Sequence, residues 1–174
     1  MKITGFLLRE AIRRHELRRD TAVNQFDDSL SKFPGEDKRS PDSITEEFVA
    51  AEAAVAKLQA AQSAYNLRVE VDVLGEKMTL CEAVKRLGGA GRIEKMWRTA
   101  AGGKKDRYNS YNPDNVRREG ETRAERTVSV DAAMHRARKL AAVASALRAE
   151  IARGNLRDVD PADIGLNDLK LLTE

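Results

Sequence analysis

A single cysteine, Cys81, stands in this chain of 174 residues, so no disulfide can close within it and a reducing compartment suits it. Aromatic residues make up only 5%, too few for a bulky core, so packing has to be thin and aliphatic. The two histidines, His15 and His135, have no second histidine or cysteine at metal-ligand spacing; zinc is not expected, nor any other cofactor. Long hydrophobic runs are missing as well. The opening MKITGFLLREAIRRHELRR reaches arginine at Arg9, well short of the roughly 20 apolar residues a membrane-crossing helix needs. It also lacks the apolar stretch and cleavage site of a signal peptide, and reads as the start of a mature cytoplasmic protein. Finally, neither sign of charge dominates. The 31 basic and 28 acidic residues leave +3 and a pI near 9.1, which does not by itself imply a polyanionic partner.

What is present is charge, 34% of all residues, interleaved with alanine and leucine at helical spacing. That is the composition of long helices and coiled coils. The first helix is expected from about Thr4 to Lys32, stopped by Pro34 and Gly35. Its seam runs through Leu8, Ile12, His15, Arg19, Ala22, Phe26 and Phe33, with two polar members and one missing step. Pro34 to Asp42 is a turn by composition. Ser43-Ile44-Thr45-Glu46 is a capping box that opens a second helix. Its seam, Phe48, Ala51, Val55, Leu58, Gln62, Tyr65 and Val69, alternates steps of three and four and faces one partner, with Gln62 set to fix register.

At Leu67 to Leu74 the period changes to two, which reads as a short strand or extended arm. Met78-Thr79-Leu80 is short for a second strand. Thr79-Leu80-Cys81-Glu82 repeats the capping pattern and starts a third helix, whose apolar positions are Leu80, Val84, Leu87, Ile93, Met96 and Trp97. Gly88, Gly89 and Gly91 interrupt it at about 1 kcal/mol each relative to alanine, so a kink or the close approach of another backbone is expected there. A long polar loop follows, Lys104 to Thr127. The last helix is expected from Ser129 to a C-terminal glycine cap at Gly154, with the seam Val130, Ala133, Ala137, Leu140, Ala144, Leu147 and Ile151. The tail, with Leu166, Leu169, Leu171 and Leu172, reads as a docking segment.

The expected fold is therefore all-α: an antiparallel helical hairpin within a coiled-coil bundle of three to four helices, with an extended arm and a long polar loop. One domain is expected over residues 1–155, and a docking tail over 156–174.

The order of features resembles a family of small bacterial coiled-coil proteins of unknown function, the septicolysin-like family. The residues that carry the likeness are Tyr65-Asn66-Leu67, then Met78-Thr79-Leu80-Cys81-Glu82-Ala83, then Asp106-Arg107-Tyr108, then Thr127-Val128-Ser129-Val130-Asp131. Roughly half the chain lies in or near these blocks. The resemblance implies a long antiparallel helical hairpin. The chain departs from the family at Gly88 to Gly91, in the longer loop after Tyr108 and beyond Asn155. No toxin-like activity is carried over, because a pore-former must show apolar surface to lipid and neither a spanning helix nor a barrel pattern is present.

No reaction is specified by the residues. Cys81 in a first helical turn has no histidine near it in sequence and reads as a small buried side chain. Gly88-Gly89-Ala90-Gly91-Arg92 lacks the preceding strand and the Gly-Lys-Ser/Thr of a phosphate loop. Carboxylates alternate with Arg and Lys as on a solvated face. A non-enzymatic assembly protein is expected, working through homo-oligomers and other proteins, in the cytoplasm or within a particle such as a phage virion. The packing residues are Phe48, Val55, Leu58, Tyr65, Val130, Leu140, Leu147 and Ile151; the candidate partner-binding residues are Lys104, Lys105, Arg107, Tyr108, Tyr111, Leu169 and Leu172. The rival is a nucleic-acid binder using the Arg9, Arg13, Arg14, Arg18 and Arg19 stripe and the 92–126 segment, where ten bases meet six acids.

Overall fold

The computed structural model describes residues 2–102 and 127–173. It contains four α-helices among those residues, α1 (Gly5–Ser29), α2 (Pro41–Arg68), α3 (Leu80–Ala101) and α4 (Val130–Gly154), and one two-stranded sheet, β1 (Glu70–Val73) with β2 (Glu76–Thr79). The chain is all-α in class, as the helical periodicity requires. It divides into two compact units, one formed by Met1–Cys81 with Ile151–Glu174 and the other by Glu82–Glu150. The tail after residue 155 thus belongs to the first unit instead of standing apart.

In the first unit α1 and α2 form an antiparallel hairpin. Gly5 lies beside Tyr65, Arg19 bonds Glu52 at 3.3 Å, and Ala22 and Phe26 face Ile44 and Phe48, so residue numbers that rise on one helix fall on the other. Thr4 caps α1 by accepting from Leu7 N–H at 3.2 Å. The cap of α2 is Ser40, whose hydroxyl accepts from Ser43 N–H at 3.1 Å; Ser43 is therefore a donor inside the first turn and not the cap. Pro41 explains the earlier start, since its ring is already set for the first helical position and it has no N–H to leave unpaired.

The α2 stripe is buried through Ile44, Ala51, Val55, Leu58 and Tyr65. Gln62 does not reach across the seam: its amide nitrogen donates to Asn66 Oδ1, four residues along the same helix, at 3.0 Å. On α1 the buried line is Leu8, Ala11, His15 and Ala22. Arg19 leaves that line to pair with Glu52. Phe33, placed in the seam by sequence, is 79% exposed, because α1 ends at Ser29 and the chain turns away.

After α2 the two strands close a hairpin, with Val71 opposite Met78 and Val73 opposite Glu76. Val71, Val73 and Met78 are buried. Met78-Thr79 does form a second strand, because a two-residue turn needs few residues to bring the chain back. Leu74 (φ 56°) and Gly75 (φ 87°) are both left-handed there, as the twist of such turns requires. Leucine at that position is strained by about 1–2 kcal/mol.

The end of α4 and the tail complete this unit. Ile3 and Val159 pair as an isolated antiparallel bridge, two short 3-10 turns (Pro161–Ile164 and Leu169–Leu172) follow, and Ile164, Leu166 and Leu172 are buried. Gly154 is the last helical residue and not a left-handed cap. A side chain there would come within 2.8 Å of Val71 Cγ1 and 3.0 Å of Leu80 Cδ1; glycine is needed for close approach.

In the second unit α3 runs unbroken through its glycines. A methyl group at Gly89 or Gly91 would meet no described atom within 4 Å, so the close approach of a backbone among the described residues does not account for them. Of the apolar positions expected on α3, Leu80 is buried, Leu87 and Trp97 are half-buried, and Val84, Ile93 and Met96 are exposed, while Ala83, Ala90 and Ala101 are buried in their place. Size misled the sequence reading here, because close helix contact selects small side chains. On α4, Ala133, Ala137, Ala144 and Leu147 are buried as expected. The Arg136 guanidinium lies 4.5 Å from the centre of the Trp97 ring, which sets the last turns of α3 against the first turns of α4.

Candidate functional site

At the closed end of the α1–α2 hairpin the seam opens into a cavity of about 300 Å³ lined by Ala22, Val23, Phe26, Asp27, Ile44, Thr45 and Phe48. The local sequence explains the opening. Ala22 and Phe26 are one turn apart on α1, as are Ile44 and Phe48 on α2, so each helix presents one apolar rung. Among the described residues, those lining the gap are these rungs with Val23, Asp27 and Thr45 beside them. The connecting residues 30–40 are polar or carry side chains turned outward, among them Leu30 and Phe33, and Phe26 keeps 38% of its surface exposed.

The turn beside this cleft is held by charge. Between Asp27 and Glu47 there are seven acids and three bases, Lys32, Lys38 and Arg39. Lys38 Nζ is held by Glu36 at 3.4 Å and donates to the carbonyls of Asp28 and Ser31, and Arg39 pairs with Glu47 at 2.7 Å. The Glu36 carboxylate accepts from Phe33 N–H at 3.0 Å. That bond, assisted by Lys38, holds the Glu36 carboxyl below its ordinary value.

The opposite end of the hairpin is closed by a buried polar knot. The Tyr65 hydroxyl stands 2.8 Å from both the Gly154 and Arg157 carbonyl oxygens. Burial pushes its pKa upward. Asn155 is buried and donates to the Ile151 carbonyl at 2.9 Å, with its own Oδ1 unpartnered and facing Gly5 so closely that a β-carbon there would sit at 2.4 Å. His15 Nε2 lies 3.0 Å from the Leu171 carbonyl oxygen; a carbonyl only accepts, so that nitrogen carries a proton. These contacts are structural. They tie the N-terminus, α2 and the tail together.

Of the expected packing residues, Val55, Leu58, Tyr65 and Leu147 are buried, Phe48, Leu140 and Ile151 are half-buried, and Val130 is exposed at the first turn of α4. Of the candidate partner-binding residues, Lys104, Lys105, Arg107, Tyr108 and Tyr111 lie outside the described residues. Leu169 is exposed, whereas Leu172 is buried in the chain's own first unit, where its carbonyl accepts from Arg14 Nη2. The tail is a docking segment whose dock is internal.

The arginines of α1 do not form one stripe. At about 100° per residue they fan around the helix: Arg14 turns to the tail, Arg19 to Asp20 and Glu52, and Arg9 and Arg13 remain as exposed neighbours. The cleft residues Val23, Asp27 and Ile44 were not singled out from sequence. The signal available was the meeting of two phenylalanines, Phe26 and Phe48, where both seams run out.

Among the described residues no group of three or more His, Cys, Asp or Glu side chains is placed to hold a metal ion, and no helix is long and apolar enough to cross a membrane. No family model, no curated protein and no solved structure matches the chain.

Proposed function

We propose that this protein acts without catalysis, by packing its helices against other chains in an assembly. The carrying observation is the open apolar cleft at the end of the α1–α2 hairpin, where Phe26, Ile44 and Phe48 stand unfilled beside further exposed apolar side chains, Val23, Leu30 and Phe33. Such surface is costly to leave in water and is the usual mark of an interaction site. The reading extends to a homo-oligomer built into a larger body, in the cytoplasm or in a virion-like particle, and to kinship with the septicolysin-like proteins.

Light scattering over a range of concentrations tests it. The native mass is expected to exceed the 19.3 kDa of one chain, and Phe26→Asp is expected to lower it while helicity by circular dichroism is kept. A mass that stays at one chain at every concentration would overturn self-association. For the rival reading, binding to duplex or single-stranded nucleic acid would fall steeply with salt and would be lost on charge reversal at Lys104, Lys105 and Arg107.

A further inference from the structure

We infer that the cleft between α1 and α2 is the docking site for a lysine- or arginine-rich amphipathic helix of a partner protein. That partner completes the assembly reading above, on which the inference rests. The floor of the site is apolar. Ala22 and Phe26 of α1 meet Ile44 and Phe48 of α2, and exposed Val49 stands one turn after Thr45 on the same side of α2. At about 300 Å³ the opening is at the lower bound of small-molecule sites. It lies between two antiparallel helices, an arrangement that receives the apolar stripe of a third helix.

The charge of the partner follows from the walls. Asp27 lines the cleft, and among the described residues its carboxylate makes no ion pair. A purely apolar partner would take that charge out of water with nothing to offset the loss, whereas a cation on the partner compensates it. Asp27 and Asp28 also stand in the last turn of α1, which holds no base and where the helix dipole favours a cation. Lys38 bonds the carbonyls of Asp28 and Ser31 and leaves these two carboxylates unpaired. Two turns before Asp27 on the same side, Asp20 shares Arg19 with Glu52, at 3.0 and 3.3 Å, so two acids there hold one base. The imbalance runs through this end of the hairpin. Residues 20–56 carry nine acids and three bases, Lys32, Lys38 and Arg39, in a chain whose net charge is +3, and two of those bases are already paired, with Glu36 and Glu47. A second copy brought to this end about a two-fold axis sets acid against acid, so self-association there is the weaker contact and a basic helix displaces it.

The test uses the full chain and, as probe, a synthetic helical peptide of about 18 residues, five turns, with leucines at i, i+3, i+4 and i+7 and lysines on either flank. Methyl NMR is expected to show saturable shifts at Val23 and Ile44, and light scattering a mass of one chain with one peptide. Asp27→Lys is expected to weaken binding at least about tenfold, and the milder Asp27→Asn to act in the same direction. Asp37→Lys, on the turn and outside the cleft lining, is expected to change it by less than about twofold. Circular dichroism checks that each variant folds. Peptides with glutamate for lysine, or serine for leucine, are expected not to bind. Equal binding by either analogue, or binding indifferent to Asp27→Lys, overturns the inference, and so do cleft methyls that stay unmoved because a second copy holds the site; each of these leaves the assembly reading standing. A single-chain mass with no peptide bound overturns both.

Discussion

Tyr65 joins α2 to the end of α4 and the tail through one side chain. It is fully buried, belongs to the α2 seam, packs its ring against Gly5, and through its hydroxyl holds the backbone carbonyls of Gly154 and Arg157. Tyr65→Phe keeps the ring and removes the hydroxyl, leaving the Gly154 and Arg157 carbonyls without this donor. A loss of about 1–3 kcal/mol is expected, read from a urea melt at neutral pH. The same group sets an alkaline limit. Its pKa is raised above the ordinary 10.0 in the folded chain, so the folded state binds this proton more tightly than the unfolded state does. The associated stability is complete below pH 10 and is lost as pH rises through the folded value. Wild type is expected to lose helix progressively above pH 10, and the Phe variant, though weaker at neutral pH, should lack that component. An identical alkaline profile in both would show that another group sets the limit.

At the scale of single elements, α3 shows how a helix can carry unfavourable residues and remain continuous. Gly88, Gly89 and Gly91 each cost backbone entropy, yet the helix persists because alanines on its buried line are held by packing. Gly89 and Gly91 have open space where a methyl would go. Gly89→Ala and Gly91→Ala are each expected to stabilise by about 0.5–1 kcal/mol, seen as a higher melting temperature. A destabilised variant would mean that these glycines serve a close contact made from outside the described residues. Gly154 is the contrast, since a methyl there would strike Val71 and Leu80. The sequence marks both kinds of glycine in the same way; only the surroundings separate them.

For the molecule as a whole, the tail decides whether the first unit is complete. Val159, Ile164, Leu166 and Leu172 are buried, and each such side chain contributes about 1.5–3 kcal/mol at most. Removing residues 156–174 withdraws all four, together with the Ile3–Val159 bridge and the Arg68–Asp163 ion pair at 2.8 Å. The truncated chain is expected to lose the cooperative melt of this unit, by circular dichroism and by rapid proteolysis of α1. A truncated chain that melts like the full one would return the tail to the role first read for it, a segment awaiting an external partner.

Helix positions were legible without coordinates because they are local: the heptad spacing of Val55, Leu58 and Tyr65, the start of α4 near Ser129, and the prolines between α1 and α2 act over a few residues. The all-α class follows from those same signals. What needed the tertiary structure was every choice between neighbours of similar chemistry. Ser40 instead of Ser43 caps α2 because Pro41 lies between them, and Ala83, Ala90 and Ala101 are buried where the larger Val84 and Met96 are not. Leu172 serves the chain's own core while Leu169 does not. The candidate site belongs to this second class. Phe26 and Phe48 were both visible as seam residues, but that they line one cleft depends on how α1 packs against α2, which spacing along either helix alone does not encode.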